Sequence, residues 1–170
     1  TLFNTLVGSH QVSTRSRLFE TLDPTTRRIE LGEGRQCLLS DTVGFIQNLP
    51  HHLIAAFRAT LEEVTSADLL LHVVDAADAF ALQQYQAAAA VLEELGAAQI
   101  PTIAVLNKID LLAGTRALQR LERHLANTLA VSALQGTGVD ELRRRMADLL
   151  FVDLIPAVLH IPYDRMDLLQ

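Results

Sequence analysis

Apolar residues follow two alternating rhythms along this chain. Short unbroken apolar runs give way to stretches in which apolar positions recur every three or four residues, the succession expected of buried strands and amphipathic helices. Leu2 to Leu6 reads as the rest of a first helix, and Gln11 to Arg28 as a long polar region in which Pro24 forbids a continuous helix. Ile29-Glu30-Leu31, then Gly32-Glu33-Gly34, then Cys37 to Leu39 predicts a hairpin whose glycines supply the turn. Leu53 to Val64 has helical spacing, and Leu69 to Asp75 reads as a strand. Phe80 to Leu95 is an alanine-rich helix with Gly96 placed to end it. Ile100 to Leu106 reads as a strand, Ala117 to Ala126 as a helix, Asn127 to Ala130 as a small strand and Val139 to Leu150 as a helix. After Pro156, Val158 to Ile161 begins another strand. The fold class is α/β: a doubly wound, mostly parallel sheet with helices on both faces.

Composition narrows the setting. At 170 residues, 49% hydrophobic and 20% charged, the chain suits one sizeable core. Its single cysteine, Cys37, rules out an internal disulfide and lies in an apolar strand, where a buried, inert thiol is expected. No apolar run reaches the length of a membrane span, and no basic segment precedes an apolar stretch at the start, so a cytoplasmic location is expected. A formal net charge of −6 argues against a direct nucleic-acid grip by this chain alone. Arg143-Arg144-Arg145 reads as a solvated helix face rather than an RNA contact.

The chemistry is concentrated after the strands. Asn107-Lys108-Ile109-Asp110 follows the apolar run Ile103 to Leu106, an order that builds a guanine pocket at the carboxyl end of a strand. The Asp110 carboxylate accepts two hydrogen bonds from the N–H edge of guanine, an edge adenine lacks, so the wrong base leaves a buried charge unpaired. Lys108 lays its methylene stem along the ring, and Asn107 ties neighbouring loops together. Taken alone, the same four residues also describe a polar turn after a buried strand. Asp41-Thr42-Val43-Gly44 follows the Cys37 to Ser40 run. There Asp41 holds Mg²⁺ through a water and Gly44 offers its N–H to a terminal phosphate, although an acid and a glycine are also ordinary loop chemistry. Ser132 and Ala133, followed by Gly136 and Gly138, carry backbone N–H groups that can meet the guanine O6. The order of the three segments, each closing a strand, favours the nucleotide reading over three unrelated turns.

A closer resemblance rests on Phe19-Glu20-Thr21-Leu22-Asp23-Pro24-Thr25-Thr26-Arg27-Arg28, Asp41-Thr42-Val43-Gly44-Phe45-Ile46, Leu49-Pro50-His51, Ala56-Phe57-Arg58-Ala59-Thr60-Leu61-Glu62-Glu63 and Leu71-His72-Val73-Val74-Asp75. Together these resemble the GTPase domain of the HflX family, ribosome-associated P-loop GTPases, over nearly the whole chain. The resemblance implies GTP and GDP as ligands, Mg²⁺ as cofactor, and the large ribosomal subunit as partner and stimulator of slow hydrolysis. It makes Thr21 the switch I residue whose hydroxyl ligates Mg²⁺, with Phe19, Glu20, Leu22 and Asp23 completing the loop that closes over the nucleotide. Leu53 to Val64 becomes the switch II helix. Residues 1–151 are then the GTPase domain and 152–170 the opening of a small C-terminal segment.

Two departures qualify that expectation. The phosphate-cradling G-x-x-x-x-G-K-[ST] loop occurs nowhere, and Thr1-Leu2-Phe3-Asn4-Thr5-Leu6 resembles the segment just after that loop in the family, so the loop and the strand before it are expected to be cut off. In the fold that the resemblance implies, that first strand sits between the Cys37 to Asp41 strand and the Leu69 to Asp75 strand. Without it the fragment is expected to be weakly stable or aggregation-prone and to bind nucleotide poorly. Phe45 stands where many GTPases carry a water-orienting glutamine, and no catalytic base is assigned. His51 and His52 read as helix-start chemistry after Pro50. The main reading is a Mg²⁺-dependent GTP hydrolase that splits or rescues stalled ribosomes. A truncated, non-hydrolysing interaction module and a related tRNA-modification or ribosome-assembly GTPase are the alternatives.

Overall fold

The computed structural model describes residues 1–8, 25–42 and 64–152. Helix α1 (Leu2–Val7) is followed by the strands β1 (Thr25–Gly32) and β2 (Arg35–Asp41). Then come β3 (Leu70–Asp75), α2 (Ala81–Glu94), β4 (Thr102–Asn107), a 3-10 turn (Ile109–Leu111), α3 (Thr115–His124), β5 (Thr128–Ala130) and α4 (Val139–Leu150). The predicted Leu53 to Val64 helix and the Val158 to Ile161 strand lie outside the described residues, apart from Val64.

β1 and β2 form an antiparallel hairpin in which Ile29 faces Cys37 and Thr25 faces Asp41. Its turn uses positive φ at Gly32 (97°), Glu33 (54°) and Gly34 (73°), the conformation that glycine tolerates without a steric cost. The hairpin begins earlier than its apolar pattern indicates. Thr25 to Arg28, assigned from sequence to a polar connecting region, is strand, because β-branched threonines suit a pleated surface and Thr26 Oγ1 meets Ser40 Oγ across it at 2.6 Å.

β3, β4 and β5 make a parallel sheet in that order, and no ladder joins it to the hairpin among the described residues. The flank of β3 away from β4 therefore has no ladder partner among them, at the position where the sequence reading places a further strand. β4 is central. Ile103, Ala104, Val105 and Leu106 are each 0% exposed, which is why this strand is a continuous apolar run rather than an alternating one.

The alternation reappears in what each residue packs against. Ile103 and Val105 join Leu2, Leu6, Ile29, Leu31, Val139, Leu142 and Met146 in one core, supplied by α1, the hairpin and α4. Ala104 and Leu106 join Val74, Ala81, Leu121 and Leu125 in a second, supplied by α2 and α3. Elements on both faces of a parallel sheet fix the α/β architecture, and each large aliphatic side chain withdrawn from water contributes about 1.5–3 kcal/mol. Helix α3 starts two residues before the predicted Ala117, directly after Gly114. It ends at His124 because Leu125 is extended and turns into the second core.

One expectation from charge needs correction. Arg143 is not a solvated side chain: its guanidinium reaches across to α1 and donates to the carbonyls of Thr5 (3.3 Å) and Leu6 (3.0 Å). A cation there satisfies acceptors that the helix end leaves unpaired. Arg144, paired with Glu141, and Arg145, which donates to Asn127 Oδ1 at 2.9 Å, both lie on the exposed face the sequence implied.

Candidate nucleotide site

The carboxyl ends of β3, β4 and β5 lie side by side, and the residues singled out after β4 and β5 meet there. Asn107 closes β4 and is almost fully buried. Its side-chain oxygen accepts the Ala133 N–H at 3.0 Å, and its main-chain carbonyl accepts the Ala76 N–H at 2.8 Å. One residue thus ties together the loops after three strands.

Lys108 adopts a left-handed conformation (φ 65°, ψ 33°), uncommon for a side chain with a Cβ and held here by bonds on either side. Ile109 N–H donates to Val131 O at 3.3 Å, and Leu111 N–H donates to Lys108 O at 3.0 Å. The sharp reversal starts the 3-10 turn that carries Asp110. Ser132, wholly buried, donates its hydroxyl to Asp110 Oδ1 and accepts the Gln135 N–H at 3.2 Å. A carboxylate has about four lone-pair sites, so one bond from Ser132 fixes its orientation and leaves acceptor capacity for a ligand.

The loop after β5 is equally constrained. Ser132 N–H donates to Thr137 O at 2.9 Å, which curls residues 132–137 back on themselves. Gly138, at φ 75°, passes so close to Ala130 O and Val131 that any Cβ would collide. Thr5 Oγ1 donates to Ala133 O at 2.9 Å, which docks α1 against the same loop.

Asp41 closes β2 and is half-buried. Its carboxyl is pushed above the ordinary aspartate value by burial. Thr42 comes next in the chain. Phe19, Glu20, Thr21, Leu22, Asp23, Val43 and Gly44 lie outside the described residues, as do Phe45, His51 and His52. Among the described residues, no group of His, Cys, Asp or Glu forms a metal cage of protein ligands. A Mg²⁺ bound mainly through phosphates and waters, with an acid such as Asp41 behind one water, needs no such cage.

Two open clefts are lined by other residues. One, of about 520 Å³, runs along Leu112 to Ala117, and another, of about 460 Å³, lies between α1, β1 and Arg143. Neither gathers the convergent acceptors and N–H groups of the strand-end site, and chemistry outweighs concavity in choosing between them.

Sequence reasoning gave no role to Asp75 or Thr5. Asp75 accepts Lys108 Nζ at 2.6 Å and Thr5 holds Ala133, contacts across 33 and 128 residues that no local motif encodes. Position offered one clue: Asp75 ends a strand, like Asn107, and the register pairs the two.

The chain is similar to known proteins over most of its length. The family model described as "50S ribosome-binding GTPase" matches residues 1–108. GTPase HflX of Akkermansia muciniphila is 45% identical over 167 residues, 96% of this chain and 38% of that protein. GTPase HflX of Escherichia coli K12 is 42% identical over 163 residues, 95% of this chain and again 38% of the relative. The chain therefore spans well under half the length of these relatives. Among solved structures, an SsGBP variant superposes with a TM-score of 0.69 at 28% identity, over 90% of this chain and 51% of that one. Era in complex with MgGDPNP and a segment of 16S ribosomal RNA superposes at 0.63 with 21% identity, over 96% of this chain and 55% of that one, a likeness of fold. The chain belongs to the 50S ribosome-binding GTPase family and is a GTPase domain of the HflX type.

Proposed function

We propose that this domain binds GTP and GDP at the carboxyl edge of β3, β4 and β5, and that the complete protein hydrolyses GTP with Mg²⁺. The observation that carries the reading is the Asp110 carboxylate, oriented by Ser132 within the frame that Asn107 and Ala133 tie together. In this assignment Asp110 accepts from the N1–H and amino group of guanine, the loop of Ser132 and Ala133 lies on the side of its O6, and the stem of Lys108 covers one face of the ring. Asn107, Ile109 and Ser132 hold that frame. Mg²⁺ supplies charge neutralisation at the phosphates, with Asp41 behind a water and Thr21 as the ligand that responds to the terminal phosphate. Thr42, Val43 and Gly44 line the phosphate side, and Phe19, Glu20, Leu22 and Asp23 close over the nucleotide. The coupling of nucleotide state to these segments is the means by which such a protein alters its hold on a partner.

The partner in this reading is the large ribosomal subunit, met by the complete protein in the cytoplasm, and the work is splitting or rescue of stalled ribosomes. The description of the matching family, a 50S ribosome-binding GTPase, supports the ribosomal partner. Residues 1–151 are assigned to the GTPase domain and 152–170 to the start of a further segment.

The test is specificity. In the complete protein, Asp110→Asn replaces an acceptor by a donor, and nucleotide titration is expected to move preference from guanosine to xanthosine diphosphate by about 100-fold or more. Undiminished guanine preference in that variant would refute the assignment of Asp110.

A further inference from the structure

The guanine reading explains Asp110 but not the acid one strand away. Asp75 ends β3 in register with Asn107, and Ala76 N–H donates to Asn107 O at 2.8 Å, so the backbone bearing Asp75 is fastened beside the backbone bearing Lys108. Asp75 is itself oriented: Oδ1 accepts the Ala77 N–H at 3.1 Å, a local turn that fixes the carboxylate, and Oδ2 accepts Lys108 Nζ at 2.6 Å. Asp78, whose carboxyl is held low chiefly by the Phe80 N–H and then by Gln84, is also within electrostatic reach of Lys108. The lysine is thus anchored at both ends, by a left-handed backbone at one and by a carboxylate on the neighbouring strand at the other.

The pair is poorly placed to be there for stability. The Lys108 and Asp75 side chains are 52% and 33% exposed, and ion pairs so open to water contribute little to folding. Geometry is the larger consequence. A free lysine stem samples many rotamers, each of which must be given up when a ring stacks on it, whereas a tethered stem is already in place.

We propose that Asp75 is a positioning residue for the nucleobase: by holding the Lys108 ammonium, it keeps the methylene stem extended along the face on which the purine rests. The proposal rests on the guanine reading above. It also predicts the opposite sign to simple electrostatics. Removing a negative charge near an anionic ligand strengthens binding by Coulomb's law, whereas removing the tether weakens it.

The test uses the complete protein and Asp75→Asn, which keeps an acceptor for the Ala77 N–H and loses the charge. GDP affinity is expected to fall about fivefold, with the thermal midpoint unchanged, and Asp75→Glu to restore part of the loss. Xanthosine diphosphate should weaken by the same factor in an Asp110→Asn background, because the stem supports either purine. In a Lys108→Met background, which keeps a stem and has no ammonium, Asp75→Asn should have no further effect. Unchanged or tighter GDP binding by Asp75→Asn, or a loss that persists in full without the ammonium, overturns the positioning role. If Asp110→Asn switches to xanthine while Asp75→Asn is silent, positioning alone fails. If Asp110→Asn does not switch, the base lies elsewhere and both readings fall.

Discussion

Gly138 shows how narrow the tolerances are at a single residue. It combines a positive φ of 75° with a backbone pass that leaves no room for a Cβ against Ala130 O, so Gly138→Ala incurs both backbone strain and a clash with main-chain atoms that cannot swing away. A loss of about 2–4 kcal/mol is expected, read as a lower thermal midpoint and accompanied by weaker guanine nucleotide binding, because the loop it disturbs carries Ser132. At this scale much of the candidate site's geometry was legible. Asn107, Lys108 and Asp110 lie within four consecutive residues, and so short a motif survives in the sequence whatever surrounds it. Asp75 and Thr5 were not legible as participants, since an aspartate at a strand end and a threonine in a short helix become partners only when register and docking bring them there.

At the scale of elements, two side chains carry information that periodicity did not. Arg143 was read with its neighbours as a basic face, yet it seals the end of α1 by donating to the Thr5 and Leu6 carbonyls. Arg143→Leu is expected to lower stability by about 1–2 kcal/mol, with Arg143→Lys recovering part, as urea unfolding would show. His72 packs its ring on Tyr85 of α2, with centroids 4.2 Å apart and planes 15° from parallel. Burial pushes the imidazole below its ordinary value, so the unfolded chain binds a proton more readily than the folded one. Its contribution is therefore complete above the ordinary imidazole pKa and is lost as pH falls from there through the lower folded value. Thermal midpoints measured from about pH 7 down to about pH 5 should fall more steeply for the natural protein than for His72→Phe, which keeps the ring contact and cannot be protonated. Equal slopes would remove His72 from the account. Boundaries of elements were the weaker part of the sequence reading for a related reason. Thr25 to Arg28 has threonines that suit a strand, but it is the pairing with Leu38 to Asp41 opposite that makes it one.

For the molecule as a whole, local sequence determined the α/β class, the order of strands and helices through the described residues, and the strand-end position of Asn107 to Asp110. These come from local chain properties: period, glycine and proline placement, and the run of uncharged residues that a central parallel strand requires. Tertiary structure alone decided which face each β4 residue supplies, which acid holds Lys108, and how α1 meets the loop after β5. It also decided that the hairpin and the parallel sheet share an apolar cluster without sharing a ladder among the described residues. The physical reason is common to all of these. Hydrogen bonds and ion pairs act over a few ångströms, so a contact between residues distant in sequence exists only after packing has selected one register among many, and that selection is made by the whole core at once.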